Sequence, residues 1–376
     1  MTKIKEIFGT DKDIYRSIEK VVTFGNASEI NLKNEVSEYV VTEKLKENFD
    51  KILDALHDGM QDGSSEIGIW VSGFYGSGKS SFAKYLAYGL QKGFKVDGQL
   101  FLERLSNRID SGPTTQVFKK IVSTYDPAVI LLDCATEQIK GGSLPPILEL
   151  LVAKVNQVAG YSTDGKLAEF ERMLSSDGKL KPFKEIVQSK YNEDWDLIKS
   201  GKGGSGMLKA KEIASHLAHE FYPNIWRDEK AFKILRLDDM SSDKEKVIAM
   251  IETIRRITGK ENVVFVVDEV GQYISAKDGL ITSLQGTLEN IKDLANGKVW
   301  LLATAQQTLT EDNARARHNS DKLYKLNARF PITVEIEASD IKEICTQRIL
   351  GKSSNFSDQL KGLYKSHGEK LRHYTK

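Results

Sequence analysis

The sequence predicts an α/β fold built around a parallel β-sheet, and two observations support this prediction. Continuously apolar runs recur at 128–134, 262–267 and 298–306, which is typical of strands that are buried on both faces. Apolar residues at helical spacing separate these runs. Helices that alternate with fully buried strands indicate a parallel sheet covered by helices. With further strands at 67–71 and 332–336, we expect a sheet of five strands.

Helices are predicted before and between these strands from apolar residues spaced three and four apart. In chain order they cover residues 42–60, 82–90, 114–125, 144–158, 247–257 and 284–291. Thr42 stands where an N-cap accepts a backbone hydrogen bond. Pro145 falls in the first turn of a helix that starts at Leu144. Asp126-Pro127 ends the helix that precedes the strand at 128–134.

The length and the composition indicate a principal domain with an addition. A chain of 376 residues exceeds one hydrophobic core of usual size. Charged residues dominate from 160 to 233 without an apolar strand run, so this stretch is predicted to be a mostly helical insertion. We expect an N-terminal segment and helix at 1–60, the core at 61–338, and the start of a lid or linker at 339–376. The glycine-rich residues 201–206 follow no strand and are predicted to form a mobile loop.

The composition argues against several classes of protein. The net charge is +1 and 40% of the residues are hydrophobic, which does not indicate a strongly basic nucleic-acid-binding body. Cys134 and Cys345 are too few and too far apart for a disulfide framework or a cysteine zinc site. The chain lacks the apolar run of a signal peptide or a membrane span, so a cytoplasmic protein is predicted. His216 and His219 match no standard metalloprotease order beside Glu220 and are interpreted as a solvated helix face.

A glycine-rich segment follows the first predicted strand directly. Residues 73–80 read Gly-Phe-Tyr-Gly-Ser-Gly-Lys-Ser, the pattern G-x-x-x-x-G-K-S of a phosphate-binding loop, or Walker A motif. In such a loop the backbone N–H groups point at one place, the lysine supplies charge for the outer phosphates, and the last hydroxyl can bind Mg²⁺. The motif predicts a site for ATP and Mg²⁺. Its nucleotide contacts would come from Gly73, Phe74, Tyr75, Gly76, Ser77, Gly78, Lys79, Ser80 and Ser81.

Two carboxylates, Asp268 and Glu269, follow the strand predicted at 262–267. An aspartate at the carboxyl end of a strand can hold the Mg²⁺ shell, here together with Ser80, and a following glutamate can deprotonate an attacking water. An apolar run before Asp-Glu also occurs where a strand simply ends in a turn. Because a Walker A loop precedes the pair in the chain, we interpret the pair as a Walker B element. We therefore expect hydrolysis, with Lys79 neutralising the phosphates.

Two further positions complete the predicted site. Gln306 ends the strand at 298–306 and could sit beside the γ-phosphate and the water, with Thr304 as the competing candidate. Arg329 stands in a loop before the last strand. Because phosphoryl transfer builds negative charge, an arginine from a neighbouring subunit can stabilise it. Arg329 thus predicts a nucleotide-dependent homo-oligomer. Arg315 and Arg317 are alternatives for that part, and each arginine could instead lie on a solvated surface.

Three separated segments of the sequence carry a family resemblance. They are residues 37–42, 69–80 and 267–274, supported by Val299-Trp300 and Ala328-Arg329-Phe330. With the order of the motifs, they resemble the BrxC/PglY family. Its members are large P-loop AAA+ ATPases of the additional-strand (ASCE) class in BREX bacteriophage-exclusion systems. The resemblance spans about residues 20–350 and is weak across the insertion.

The resemblance implies a P-loop NTPase fold of ASCE/AAA+ type, with a helical insertion and a partial lid. It implies a defence ATPase that works beside a methyltransferase, a phosphatase-like protein and smaller BREX components. Because family members are much longer, this chain would be the N-terminal ATPase portion of one. Ser81 stands where many members carry histidine, and no arginine, Arg348 included, is assigned as sensor 2.

Other functions remain open from the sequence. A nucleotide-gated assembly scaffold with little turnover would carry the same loop. A phosphotransferase shares Walker A, although Asp268-Glu269 and Arg329 argue against it. DNA binding is possible through two basic groups that fit a solvated surface equally well. These groups are Arg315, Arg317 and His318, and Lys361, Lys365, Lys370 and Arg372.

Overall fold

The structure, a computed structural model, describes most of the chain between residues 29 and 374. The described residues are 29–135, 144–200, 205–234, 242–306, 326, 329–337, 343–344, 346 and 354–374. Several sequence predictions lie outside this part of the chain. They concern residues 1–28, residues 201–204, Arg315, Arg317, His318, Ala328, Cys345 and Arg348.

Five strands form one parallel sheet in the order β4-β5-β6-β1-β7, and two short strands form a separate antiparallel pair. The strands are β1 (Gly68–Gly73), β2 (Lys95–Val96), β3 (Gln99–Leu100), β4 (Ala128–Asp133), β5 (Val263–Asp268), β6 (Val299–Gln306) and β7 (Ile332–Ile336). The predicted five-stranded parallel α/β sheet is confirmed. All six residues of β5 are buried. Alternate residues of β4 are partly exposed because β4 lies at the sheet edge, which corrects the prediction that both its faces are buried.

Helices connect and cover the strands. They are α1 (Glu29–Ser37), α2 (Glu43–Asp62), α3 (Lys79–Leu90), α4 (Phe101–Ile109), α5 (Gly112–Lys120), α6 (Ile147–Val158), α7 (Gly165–Ser176), α8 (Leu180–Tyr191), α9 (Trp195–Ile198), α10 (Gly206–Phe221), α11 (Glu229–Ile234), α12 (Asp243–Thr258), α13 (Val270–Ser275), α14 (Asp278–Ala295) and α15 (Ser354–Tyr374). Among the described helices, none has the length and apolarity that a membrane crossing requires.

The ends of several helices follow from single residues. Thr42 caps α2 as predicted, because its side chain accepts a hydrogen bond from the N–H of Leu45. Helix α6 begins at Ile147 rather than at the predicted Leu144. A proline disfavours helical backbone in the residue before it, so Pro146 keeps Pro145 out of the helix. The predicted helix at 114–125 ends in a π-helical turn, Ile121–Tyr125, that leads into β4.

The described helices between residues 165 and 234 have a hydrophobic core of their own. This core is separate from the cluster around the sheet and is rich in aromatic residues. Its largest buried side chains are Phe170, Phe183, Trp195, Trp226 and Phe232. Segment α7–α11 therefore packs as a helical unit inserted between α6 and α12.

Candidate functional site

Three strands bring the predicted site residues to one edge of the sheet. In parallel strands the carboxyl ends lie at the same edge, and β1 pairs with β6 so that Gly73 lies opposite Gln306. Strand β5 pairs with the other side of β6, with Val267 opposite Ala303. Asp268 and Glu269 therefore end beside Thr304 and Gln306, next to the loop that leaves β1.

The glycine-rich loop at 73–80 uses backbone conformations that favour glycine. Gly76 and Gly78 have φ angles of 76° and 96°, in the left-handed region that residues with a Cβ rarely adopt. Gly78 is the N-cap of α3 and has no side chain to cap the helix. The first N–H groups of α3 are thus available to an anion, whose charge the positive end of the helix dipole favours.

Lys79 is buried in this loop, with 4% of its surface exposed. Its Nζ donates to the carbonyl oxygen of Phe74 at 3.1 Å. Burial lowers the pKa of Lys79 below 10.5, and the nearby charges of Glu269 and Asp268 only partly oppose this effect. The positive charge of Lys79 is therefore incompletely compensated, so an anion in the loop would stabilise it.

Ser77 adds a second polar group without a partner. The residue is 3% exposed, and its Oγ is buried and makes no hydrogen bond. Buried hydroxyls are normally hydrogen-bonded, so an orphaned one at a strand-to-helix loop indicates a position that a ligand satisfies. Tyr75, in contrast, is 82% exposed at the tip of the same loop.

Asp268 and Glu269 are held by β6. Asp268 is 4% exposed and accepts a hydrogen bond from the hydroxyl of Thr304. The backbone N–H of Glu269 donates to the same hydroxyl at 2.9 Å. Gln306 Nε2 donates to both carboxylate oxygens of Glu269, at 3.2 Å each. The structure thus brings Gln306 to Glu269 and leaves Thr304 fully buried behind them.

Arg329 lies away from these residues. A Cβ atom on Gly68, at the amino end of β1, would come within 2.6 Å of the carbonyl oxygen of Arg329. Arg329 is therefore at the edge of the sheet opposite the glycine-rich loop. Its half-exposed guanidinium forms an ion pair with Glu289 of α14. Within one chain, Arg329 does not reach the other site residues.

The candidate site contains side-chain oxygens of the kind that a magnesium ion prefers. Mg²⁺ prefers hard oxygen ligands and is usually bound by one or two side chains together with phosphate oxygens and water. The hydroxyl of Ser80 and the buried carboxylate of Asp268 are of that kind. Among the described residues, no group of three or more His, Cys, Asp or Glu side chains could hold a metal ion.

The two histidines of α10 serve the packing of the insertion. His219 Nδ1 is 2.7 Å from the carbonyl oxygen of Trp226, and His216 Nε2 is 3.6 Å from a carboxylate oxygen of Glu229. The sequence predicted a solvated helix face here. Both rings are instead half-buried, against Trp226 and the start of α11. They face residues of the insertion itself.

No family model matches the sequence of this chain. Sequence reasoning treated Thr304 and Gln306 as competitors for one role, whereas the structure gives each a different contact. The signal was present in their spacing, since residues two apart in a strand lie on the same face.

Proposed function

We propose that the protein binds ATP with Mg²⁺ and hydrolyses it, as a P-loop ATPase of the ASCE/AAA+ type. One observation carries this proposal: an incompletely compensated buried lysine, two carboxylates and a strand-end glutamine converge at the carboxyl edge of the sheet. They are Lys79, Asp268, Glu269 and Gln306. The strand order adds support, because β6 lies between β1 and β5. This additional strand between the Walker A and Walker B strands is the feature after which the ASCE class is named.

Each residue has a role that its position supports. The N–H groups of the loop and the Ser77 hydroxyl bind phosphate oxygens, and Lys79 neutralises the β- and γ-phosphates. Ser80 and Asp268 hold Mg²⁺, which when bound supplies charge stabilisation to the transferring phosphoryl group. Glu269 accepts the proton of the attacking water. Gln306, which contacts both oxygens of Glu269, orients that carboxylate and the water beside it.

The test is the substitution Glu269→Gln. The amide keeps the shape of the side chain but accepts no proton, so we expect ATP affinity within about threefold of wild type. We expect turnover to fall by about 10²- to 10⁴-fold, the usual contribution of a general base. The measurements are phosphate release at saturating ATP and binding of a fluorescent ATP analogue. Undiminished hydrolysis by Glu269→Gln would remove the assignment.

We also propose that the active form is an assembly in which Arg329 completes a neighbour's site. The support is geometric, because Arg329 and the glycine-rich loop lie at opposite edges of the sheet. A head-to-tail contact between copies would bring the two edges together. We further propose, from the sequence resemblance to the BrxC/PglY family, that this assembly works in a BREX system. Its partners there would be the methyltransferase, the phosphatase-like protein and the small components.

DNA is a further proposed contact, through the basic side chains of α15. Lys361, Lys365, Lys370 and Arg372 are all exposed on this helix. Lys361 and Lys365 lie about one turn apart on the same side of the helix. We expect Lys361→Glu with Lys365→Glu to weaken binding of duplex DNA and to reduce the dependence of that affinity on salt, because fewer phosphate contacts form and fewer counterions are then released on binding. Equal affinity and equal salt dependence in the double variant would exclude this helix as the contact.

A nucleotide-gated scaffold is the second candidate, and two contacts favour it. In the single chain, the carboxylate of Glu269 is already engaged by Gln306, and Arg329 is paired with Glu289 at the far edge. A chain in this state would bind ATP and hydrolyse little. Turnover measured at several protein concentrations separates the two functions. Specific activity rises with assembly for an ATPase completed by a neighbour, and stays low and flat for a scaffold.

A further inference from the structure

We infer that Thr304 is a positioning residue that fixes both the orientation of the Asp268 carboxylate and the conformation of the Glu269 backbone. This inference rests on the proposed ATPase function, since those two residues are its Mg²⁺ ligand and its general base. Thr304 lies two residues before the end of β6 and is fully buried. It therefore acts from inside the sheet rather than from the open surface of the site.

One hydroxyl makes both contacts. Thr304 Oγ1 donates to Asp268 Oδ1 and accepts the N–H of Glu269 at 2.9 Å. A threonine hydroxyl has one donor hydrogen and two acceptor lone pairs, so its single donor is used on the aspartate. The bond pattern therefore couples the orientation of the carboxylate to the path of the next peptide. The rest of the Thr304 side chain is apolar.

The backbone of Glu269 needs such support. Glu269 has φ 57° and ψ 27°, a left-handed conformation that is uncommon for a residue with a long side chain. Conformations of this kind persist where the surroundings impose them, and they cluster at functional sites. Thr304 supplies a polar contact to this peptide. Close packing also constrains the chain that follows, since a Cβ on Gly271 would come within 2.6 Å of Ala305 Cβ.

Thr304 and Gln306 of β6 thus contact different parts of Glu269. Thr304 holds its backbone, which fixes the direction in which the side chain leaves the chain. Gln306, on the same face of the strand, contacts the carboxylate that results. Because Thr304 is buried and its donor is taken by Asp268, it is not the group beside the γ-phosphate.

The experiment compares Thr304→Val, which keeps the shape without the hydroxyl, with Thr304→Ser, which keeps the hydroxyl. For Thr304→Val we expect turnover to fall, and the Mg²⁺ concentration that half-saturates ATP binding to rise, each by about 10- to 100-fold, as is typical when the support of a metal ligand is removed. Binding of ATP in excess EDTA stays at the wild-type level, because the loop and Lys79 are untouched. Thr304→Ser restores both quantities to within about threefold of wild type.

A readout without nucleotide tests the structural half directly. Amide hydrogen exchange in the peptide around Glu269 should gain about one fast-exchanging N–H in Thr304→Val and none in Thr304→Ser. If Thr304→Val does not fold, Thr304→Cys replaces it, since the thiol is a weak donor and acceptor of similar size, and its turnover should lie between those of valine and serine.

The outcomes separate this inference from the function on which it rests. Absent ATP turnover and absent Mg²⁺-dependent binding in the wild-type protein would overturn the proposed function. Wild-type turnover and Mg²⁺ dependence in Thr304→Val, with the wild type active, would overturn the role of Thr304 alone. A Thr304→Ser variant as impaired as Thr304→Val would also overturn it, because the hydroxyl would then not be the group that matters.

Discussion

Two buried lysines, one at the candidate site and one in the helical insertion, show how differently the two regions treat a charge. Lys79 and Lys199 are 4% and 6% exposed. The pKa of Lys79 is lowered, because burial outweighs the charges of Glu269 and Asp268. Burial also lowers the pKa of Lys199, but Glu171 and Asp196 outweigh it, so the net shift is upward. The same side chain is therefore under-compensated in one region and fully compensated in the other.

The contacts explain the opposite directions. Lys199 Nζ lies 2.8 Å from Glu171 and 2.6 Å from Asp196, and it donates to the carbonyl oxygen of Gly160 at 2.5 Å. Glu171, itself fully buried, also accepts the N–H of Ser162 and the indole N–H of Trp195. Lys79 donates to one carbonyl oxygen. The charge of Lys199 has ion-pair and hydrogen-bond partners within the insertion and holds it together. Among the described residues, the charge of Lys79 has no such carboxylate partner in contact and is available to a ligand.

The largest effect on stability is expected when the buried ion pair between Lys199 and Glu171 is broken. Glu171→Gln leaves Lys199 buried with a weaker partner, so we expect the free energy of unfolding to fall by about 3–5 kcal/mol. Urea denaturation measures this loss. Asp196→Asn is the matched control, because the Asp196 side chain is 54% exposed, and it should cost at most about 1 kcal/mol. A loss below that size in Glu171→Gln would show that Lys199 does not depend on it.

The same substitution at the two lysines should have effects of opposite sign. Lys79→Met removes an under-compensated buried charge, so we expect the nucleotide-free protein to gain roughly 1 kcal/mol, as other site residues that trade stability for function do. ATP should then no longer raise the melting temperature. Lys199→Met should destabilise the protein. Two changes of the same sign would contradict the comparison.

A smaller effect should appear in the dependence of stability on pH. The pKa of Lys79 in the folded protein lies below its unfolded value of 10.5. Burial of the charged lysine therefore lowers the free energy of unfolding by its full amount at neutral pH, and by less as pH rises towards 10.5. The folded pKa of Lys199 lies above 10.5, so its contribution stays constant over the same range. The stability difference between Lys79→Met and wild type should therefore decrease from pH 7 to pH 10 in urea denaturation. A constant difference would mean that Lys79 is not perturbed.

The smallest change in stability is expected at Arg329, whose ion pair with Glu289 is half-exposed. Arg329→Ala should alter the free energy of unfolding by less than about 1 kcal/mol, yet reduce turnover by about 10³-fold if it acts on a neighbour. Mixing Arg329→Ala with Glu269→Gln subunits should restore part of the activity, because some interfaces then combine an intact glutamate with an intact arginine. No recovery on mixing would argue for action within one chain or for none.

Much of the fold could be read from local patterns. The apolar runs predicted all five strands of the parallel sheet, and Thr42 marked the start of α2, because hydrophobic spacing and capping are properties of neighbouring residues. Boundaries were less accurate where two local signals competed, as at Leu144, where Pro146 prevails. The partial exposure of β4 could not be read from its apolar residues, since it depends on the order of the strands.

The candidate site divides in the same way. The residue types and their spacing were enough to select Lys79, Asp268, Glu269 and Gln306 as candidates, because a glycine-rich loop after a strand and polar residues at the ends of buried strands are local patterns. Three features needed the folded chain: the contact of Thr304 with two residues from another strand, the opposite pKa shifts of Lys79 and Lys199, and the distance of Arg329 from the loop. Each depends on which distant segments become neighbours and on how far water is excluded from them, and neither is written in any short stretch of the chain.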